Sequence, residues 1–400
     1  MRVVKVTATE VTLPILAGLR HSYGVHEAFT RTIVRVQTDT GLEGLGETAA
    51  AASRVEEIGQ AAIGLDPFAT RVLRARISDR FYWSSESLVA AALEMAFIDL
   101  QGKATDRTAS EVLGGAIRSE IGVAGYLFFE YGHGDDRSGD VNDPATMVAH
   151  ARRLVEKYGF STLKLKGGVL RPEAELDVME ALRAEFGPDM LLRIDPNAAW
   201  TPLTASRMVP RCEQVGLEYL EDPTSGLAGM AGIRSRTQLP LATNMCVVDF
   251  DELAPASSMG SVDVVLADLW YWGGPTQVQL LARMCETYGL AVGMHSGIEL
   301  GIGMAAMLHT ATTIPNLTAG IDAHYIHLGD DVIKGPMLAL RNGCAQPPDG
   351  PGWGVELDEE KIEHYAQVHQ DAGADNPYES GHRSDPDPHR PGWMPVMPAW

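Results

Sequence analysis

Between positions 162 and 295, polar residues close one short apolar run after another: Lys164 and Lys166, Asp195 and Asn197, Glu221, Asn244, Asp268, then His295. Asp195, Glu221 and Asn244 all offer oxygen. Two carboxylates and an amide suit a hard cation that keeps room for water or substrate, so Mg2+ is the expected metal, not zinc. Such a set leaves the ion near neutral and open to a substrate carboxylate. In Lys164-Leu165-Lys166, strand alternation puts both lysines on one face. Crowding and partial burial would then depress the lysine pKa and make a neutral base accessible. Asp268 beside His295 would fix the imidazole tautomer and raise its basicity. Taken singly, each residue reads more simply as a polar strand end, and His295 as a satisfied core histidine. The ordered series is what points to proton abstraction next to a carboxylate.

Those residues need a frame that brings strand ends to one mouth. The strand candidates are Thr162–Lys166, Leu191–Asp195, Leu217–Glu221, Leu241–Asn244, Val262–Asp268 and Leu290–His295, with further ones near Val123–Leu127 and Leu317–Ile321. Counted from Lys164, the polar residues that close them recur roughly every 23–31 residues, the repeat expected when about 250 residues build eight βα units. In such a barrel the C-terminal strand ends share one face. Residues 1–117 read differently. Arg31–Thr38 alternates like a strand, Asp39-Thr40-Gly41 is a turn signal, and Ser87–Leu100 has helical periodicity. That order predicts an α+β domain. The expected organisation is therefore an α+β domain over 1–117, a barrel over 118–345, and a Pro- and Gly-rich segment over 346–400 whose apolar end, Trp393 to Trp400, packs back on the body.

Composition narrows the function. The 400 residues carry a formal net charge of −21, which argues against nucleic acid or an anionic membrane surface as partner. No apolar run reaches the roughly 18 residues of a membrane span, and the start of the chain lacks a signal-peptide pattern. A cytoplasmic protein is expected. Cys212, Cys246, Cys285 and Cys344 are scattered and read as free thiols. An anionic substrate would need a local positive site within this acidic chain. Gly167-Gly168 is a weak phosphate-loop signal, because no G-K-[ST] follows.

The pattern resembles the enolase superfamily, in its mandelate racemase/muconate lactonizing enzyme branch, and within it is similar to the glucarate dehydratases. The resemblance spans nearly the whole chain. It rests on Gly125-Tyr126-Leu127-Phe128, Leu163–Leu170, Asp195-Pro196-Asn197, Glu221-Asp222-Pro223, Ala242-Thr243-Asn244-Met245, Leu266-Ala267-Asp268, His295-Ser296, Ile321-Asp322-Ala323-His324 and His26–Arg31. Asparagine as the third metal ligand, in an Ala-Thr-Asn-Met context, is its sharpest element. It implies a (β/α)7β TIM-like barrel with an N-terminal capping domain completed by the C-terminal segment, and a loop around Leu19–Phe29 that closes over the substrate. A Lys or His base with Mg2+ and an ene-diolate is the general scheme of enolase-superfamily sites.

The implied site has Lys164, Lys166, His295, Asp268 and Asn197 as catalytic residues and Asp195, Glu221 and Asn244 on Mg2+. His26, Tyr126, Phe128, Ser296 and His324 are the implied substrate contacts. The implied reaction is dehydration of an acid sugar to a 2-keto-3-deoxy acid, by a protein expected to form a homo-oligomer. Alternatives are a racemase or epimerase of a 2-hydroxy acid in the same fold, a dehydratase of a monocarboxylic aldonate, and a non-catalytic sugar-acid binder. A zinc-dependent barrel hydrolase would want a His-x-His pair after an early strand, which is absent. Three departures bear on substrate. Gly297-Ile298-Glu299 replaces the family's Asn-Asn-His, and an inward Glu299 would repel a second carboxylate. The stretch Gly373-Ala374-Asp375-Asn376 lacks the family's distal arginine, with Arg383 or Arg390 as replacements. His21 stands where the family tends to have asparagine.

Overall fold

The computed structural model describes residues 1–78, 86–132, 139–373 and 387–400. Val3–His21 and Gly24–Thr38 form a long antiparallel hairpin, and Glu43–Thr48 pairs with its second strand. The turn at 39–41 is where Gly41 is needed, at φ 83°, a value costly for residues with a Cβ. The helix Ser87–Thr105 covers this sheet and is buried on nearly all sides. Its close approach depends on small residues. A Cβ on Gly44 would stand 2.1 Å from the Ala96 carbonyl oxygen, and one on Gly46 2.1 Å from that of Ala92.

Seven parallel strands then follow in order: Gly125–Leu127, Thr162–Lys166, Leu191–Asp195, Tyr219–Glu221, Leu241–Thr243, Val264–Ala267 and Ala291–Met294. Residues 317–321 supply the eighth stave. Leu317 bridges to Val292 and Ile321 to Val123, both parallel, and these bridges close the barrel. Among the described residues, seven helices lie between the eight staves, as the (β/α)7β reading requires. Their boundaries follow from local chemistry. Pro144, Pro172, Pro202 and Pro275 occupy first-turn positions, where a missing N–H costs nothing. Left-handed Gly159, Gly216, Gly260 and Gly289 end helices. Three strands stop one residue short of the expected end, leaving Asn244, Asp268 and His295 just past Thr243, Ala267 and Met294. Side chains there take over from the ladder: the Asp222 carboxylate accepts the Asn244 N–H at 2.8 Å.

Cap and barrel are joined by backbone as well as side chains. Phe129–Tyr131, just after the first barrel strand, adds to the cap sheet beside Gly18–Arg20. From the C-terminal segment, Trp353 donates its indole N–H to the carbonyls of Leu45 and Met95. The helix Glu359–Ala372 lies on the first cap strand, and Glu359 forms a bidentate pair with Arg35 at 2.8 and 2.7 Å. The chain end turns to the barrel instead: Ala399 and Trp400 donate to the Ala199 carbonyl, and Thr201 donates to that of Trp400. Cys212, Cys246 and Cys285 are buried free thiols, and Cys344 is half-buried. No helix among the described residues is long and apolar enough to cross a membrane.

The glycine contacts lead to a stability test. Gly46→Ala must push the Ser87–Thr105 helix off the sheet, since the opposing atom is backbone. It should cost about 1–3 kcal/mol, read as a lower urea midpoint at unchanged m-value. An unchanged midpoint would show that the helix shifts freely.

Candidate active site

The C-terminal strand ends converge as their order predicts. Lys164 is fully buried in the barrel interior, its Nζ 2.5 Å from Asp322, 2.6 Å from Glu221 and 3.9 Å from Asp195. Lys166 lies one layer higher, with Nζ 2.6 Å from Asp195 Oδ2 and 2.9 Å from Asn197 Oδ1. Asn197 is itself held from the cap, where Ser22 Oγ accepts its amide at 2.8 Å.

The expected lowering of the lysine pKa is overturned here. Burial does pull both lysines down, but Asp322 and Glu221 on Lys164, and Asp195 on Lys166, outweigh it. Both ammonium groups are held above their ordinary range. The carboxylates respond in opposite senses. Burial alone would raise Asp195, but Lys166 and Lys164 hold it below its usual value. Burial, then the charge of Asp195, pushes Glu221 well up.

The oxygens of Asp195, Glu221 and Asn244 come from three neighbouring strands. Both Glu221 carboxylate oxygens and Asn244 Oδ1 are buried without a hydrogen-bond partner, although Glu221 Oε2 lies near Lys164 Nζ. Buried oxygens left unmet are costly unless a partner arrives. An all-oxygen set of this kind fits a hard divalent cation. No group of three or more His, Cys, Asp and Glu side chains among the described residues is arranged to hold a metal. The set here has two carboxylates, with an amide as its third member.

Above Lys166 opens a cavity of about 140 Å3. His295 lines it, with Nδ1 2.9 Å from Asp268 Oδ2. The other Asp268 oxygen accepts the N–H groups of Trp270 and Tyr271 at 2.7 and 3.1 Å, so the carboxylate is held from both sides. Nδ1 is thereby the protonated nitrogen, and Nε2 is left to act as base. Lys166 and His295 approach from strands separated by those ending at Asp195, Glu221, Thr243 and Ala267. Of the implied substrate contacts, His26, Phe128, Ser296 and His324 line the cavity. Tyr126 does not. It is fully buried beneath, with the Lys164 ammonium 4.9 Å from its ring centroid.

Sequence reasoning assigned no role to several lining residues: Tyr23, Trp270, Tyr271 and Arg31. Arg31 reaches from the cap and donates to the carbonyls of Ile298, at 2.6 Å, and of Gly297 and Thr30. Its position in the quoted His26–Arg31 motif was the one available signal. The loop expected around Leu19–Phe29 is the tip of the cap hairpin, which carries His21, Tyr23 and His26 to the cavity. Glu299 does not point inward. It is buried, is not a lining residue, and binds Ser296 and the Gly297 N–H. The backbone N–H groups of Gly168, Val169 and Leu170 already meet the Glu175 carboxylate, which leaves no phosphate cradle. Residues 374–376 and Arg383 lie outside the described residues. Arg390 pairs with Asp387 and stacks over Trp393.

Comparison with known proteins agrees with this fold. Residues 146–361 match the enolase C-terminal domain-like family, and residues 3–114 match the mandelate racemase / muconate lactonizing enzyme N-terminal domain. A Streptomyces coelicolor protein described as "Probable glucarate dehydratase" is 38% identical over 398 residues, covering 89% of this chain and 90% of that protein. An enolase from Mycobacterium smegmatis complexed with tartrate superposes with a TM-score of 0.92 at 41% identity, covering 100% of this chain and 98% of that one. One from Pseudomonas fluorescens Pf0-1 with bound magnesium, potassium and tartrate gives 0.91 at 36% identity, covering 100% and 99%.

The unmet oxygens set a binding test. Mg2+ should bind by calorimetry, and Asn244→Leu should weaken it by more than about tenfold, the scale seen even when a ligand's outer partner is lost. Equal affinity in the variant would remove Asn244 from the metal set.

Proposed function

Because the chain belongs to the enolase superfamily, with both mandelate racemase/muconate lactonizing enzyme domains, we propose that it is a Mg2+-dependent dehydratase of an acid sugar. The observation that carries this reading is the pair of proton-moving groups on one cavity. His295, oriented by Asp268, faces Lys166, and the oxygens of Asp195, Glu221 and Asn244 lie at the neighbouring strand ends. The 38% identity to a probable glucarate dehydratase supports it.

The chain's own residues supply the following steps. The Lys166 ammonium, at the cavity floor, attracts the substrate carboxylate and holds the α-carbon below His295. His295 Nε2 takes the α-proton, and the C–H electrons pass into the carboxylate. Asp268 stabilises the imidazolium through Nδ1. The same imidazolium then donates its proton to the β-hydroxyl, the C–O bond breaks, and water leaves. The enol product rearranges to a 2-keto-3-deoxy acid. Mg2+, when held by Asp195, Glu221 and Asn244, would supply positive charge against the growing negative charge of the carboxylate. Lys166, protonated, can only deliver a proton, to the opposite face of the carbanion that His295 generates. A racemase would need both groups to act in each turnover.

Among the described residues, the cations that line the cavity favour one carboxylate in the substrate. Of the lining residues, Arg31 has its guanidinium committed to backbone carbonyls, and Lys166 serves the floor. We therefore favour a monocarboxylic aldonate over glucarate.

Proton NMR in deuterium oxide tests the assignment. His295→Asn should lower dehydration by about 10^2–10^4-fold, the usual cost of losing a general acid–base group, and should equally suppress deuterium exchange at the α-carbon, because the Lys166 ammonium has no free lone pair with which to take the proton. Dehydration at the wild-type rate would make His295 structural. On substrate, kcat/KM for glucarate should fall below about 10^4 M−1s−1, the lower end for a good enzyme. A value above it would reject the single-carboxylate reading.

A further inference from the structure

A second histidine on the cavity is wired differently from His295. Ser296 and Glu299 lie on the turn that follows His295, and His324 lies just past the eighth barrel stave. Glu299 is buried, with both oxygens engaged: Oε1 accepts the Gly297 N–H at 2.7 Å and Oε2 accepts the Ser296 hydroxyl at 2.6 Å. A hydroxyl has a single proton, and this one is committed to Glu299. The Ser296 oxygen can then only accept. It takes the His324 backbone N–H at 3.1 Å and, at a longer 3.4 Å, the Ile298 N–H, and His324 Nδ1 stands 2.9 Å away. Nδ1 must therefore carry a hydrogen, and Nε2 is the bare nitrogen left to the cavity that His324 lines.

Charge agrees with this proton count. Burial pushes Glu299 up to about 6, which leaves it mostly ionised and accepting at neutral pH. Burial first, then His327, His295, His26 and Lys166, hold His324 far below its ordinary range, so its ring is neutral. In the Asp268–His295 pair a carboxylate touches the imidazole directly. Here a serine stands between them, so the carboxylate orders the ring without charging it.

We propose that the Glu299–Ser296–His324 chain is a specificity device: it presents His324 Nε2 as a fixed hydrogen-bond acceptor and so selects substrates that place a hydroxyl there over those that place a carbonyl or carboxylate oxygen. Glu299 and Ser296 are positioning residues in this scheme. The proposal deepens, and rests on, the reading of the cavity as a hydroxy-acid site. It also gives Gly297-Ile298-Glu299 a role: the acidic residue acts from behind the cavity wall.

The test reads the proton directly. In Glu299→Gln, the amide oxygen is needed by the Gly297 N–H, so the NH2 group faces Ser296 and donates to it. The serine proton must then turn to Nδ1, and the hydrogen moves to Nε2. Nitrogen NMR of the full chain labelled with 15N-histidine, with the His324 signal assigned by its loss in His324→Gln, should show Nδ1–H in the wild type and Nε2–H in Glu299→Gln. A wild-type ring protonated at Nε2, or a tautomer unmoved by Glu299→Gln, overturns the relay. Should Glu299→Gln fail to fold, Ser296→Ala removes the acceptor for Nδ1 and should give mixed tautomers; a pure Nδ1–H form there overturns it equally. With a hydroxy acid that is turned over, Glu299→Gln should raise KM by about 3–10-fold, the scale of one hydrogen bond, and kcat should move less. A fall in kcat at fixed KM would contradict the binding role. Expected spectra in a protein that turns over no hydroxy acid would keep the relay and reject the dehydratase reading.

Discussion

Charge deep inside a barrel must be answered by charge. Lys164 and Lys166 can sit in the interior only because Asp195, Glu221 and Asp322 reach them from other strands. Removing one partner of such a cluster typically leaves an uncompensated buried charge that costs about 3–5 kcal/mol. The cluster therefore locks the order and register of the strands that contribute to it. Arg193 reaches Asp322 from a third side, at 3.6 Å, and Glu221 keeps oxygens without a hydrogen-bond partner. The cavity begins one layer above this cluster, at Lys166.

The cap sets what happens above that floor. Ser22 holds Asn197, which holds Lys166; Arg31 grips the carbonyls of Gly297 and Ile298, on the turn that follows His295. Both barrel groups that face each other across the cavity are thus steadied from the N-terminal domain. Ile298 sits at φ 72°, a left-handed conformation costly for a β-branched residue, and the Arg31 contact helps to hold it there.

Much of this was legible in the chain because it is local. Short apolar runs closed by Lys166, Asp195, Glu221 and their successors expose the barrel, since strand alternation and strand ends are decided within a few residues. The Asp268–His295 pair was legible for the same reason, as neighbouring strand ends. What was not legible depends on distance in sequence. Asp322 lay in a quoted motif without a role, and only the closed barrel shows it meeting Lys164. The lysine pKa was misjudged because alternation reveals the like-charged neighbour and hides the carboxylates opposite. An inward Glu299 would repel a second carboxylate, yet its direction follows from Ser296 and the Gly297 N–H, a turn geometry that residue types alone do not specify. Arg31 and Ile298 meet across 267 positions.

The Phe129–Tyr131 strand lies past the expected domain boundary at 117, yet it pairs with the first cap strand. The two domains therefore cannot be treated as interchangeable parts. A chimera that took residues 1–117 from a relative would set a foreign edge against the native Phe129–Tyr131. A cap expressed alone would bare the backbone of Gly18–Arg20, an open seam of the kind that recruits other strands. Grafting new substrate preferences onto this scaffold calls for a cut after Tyr131, so that the seam travels with the cap.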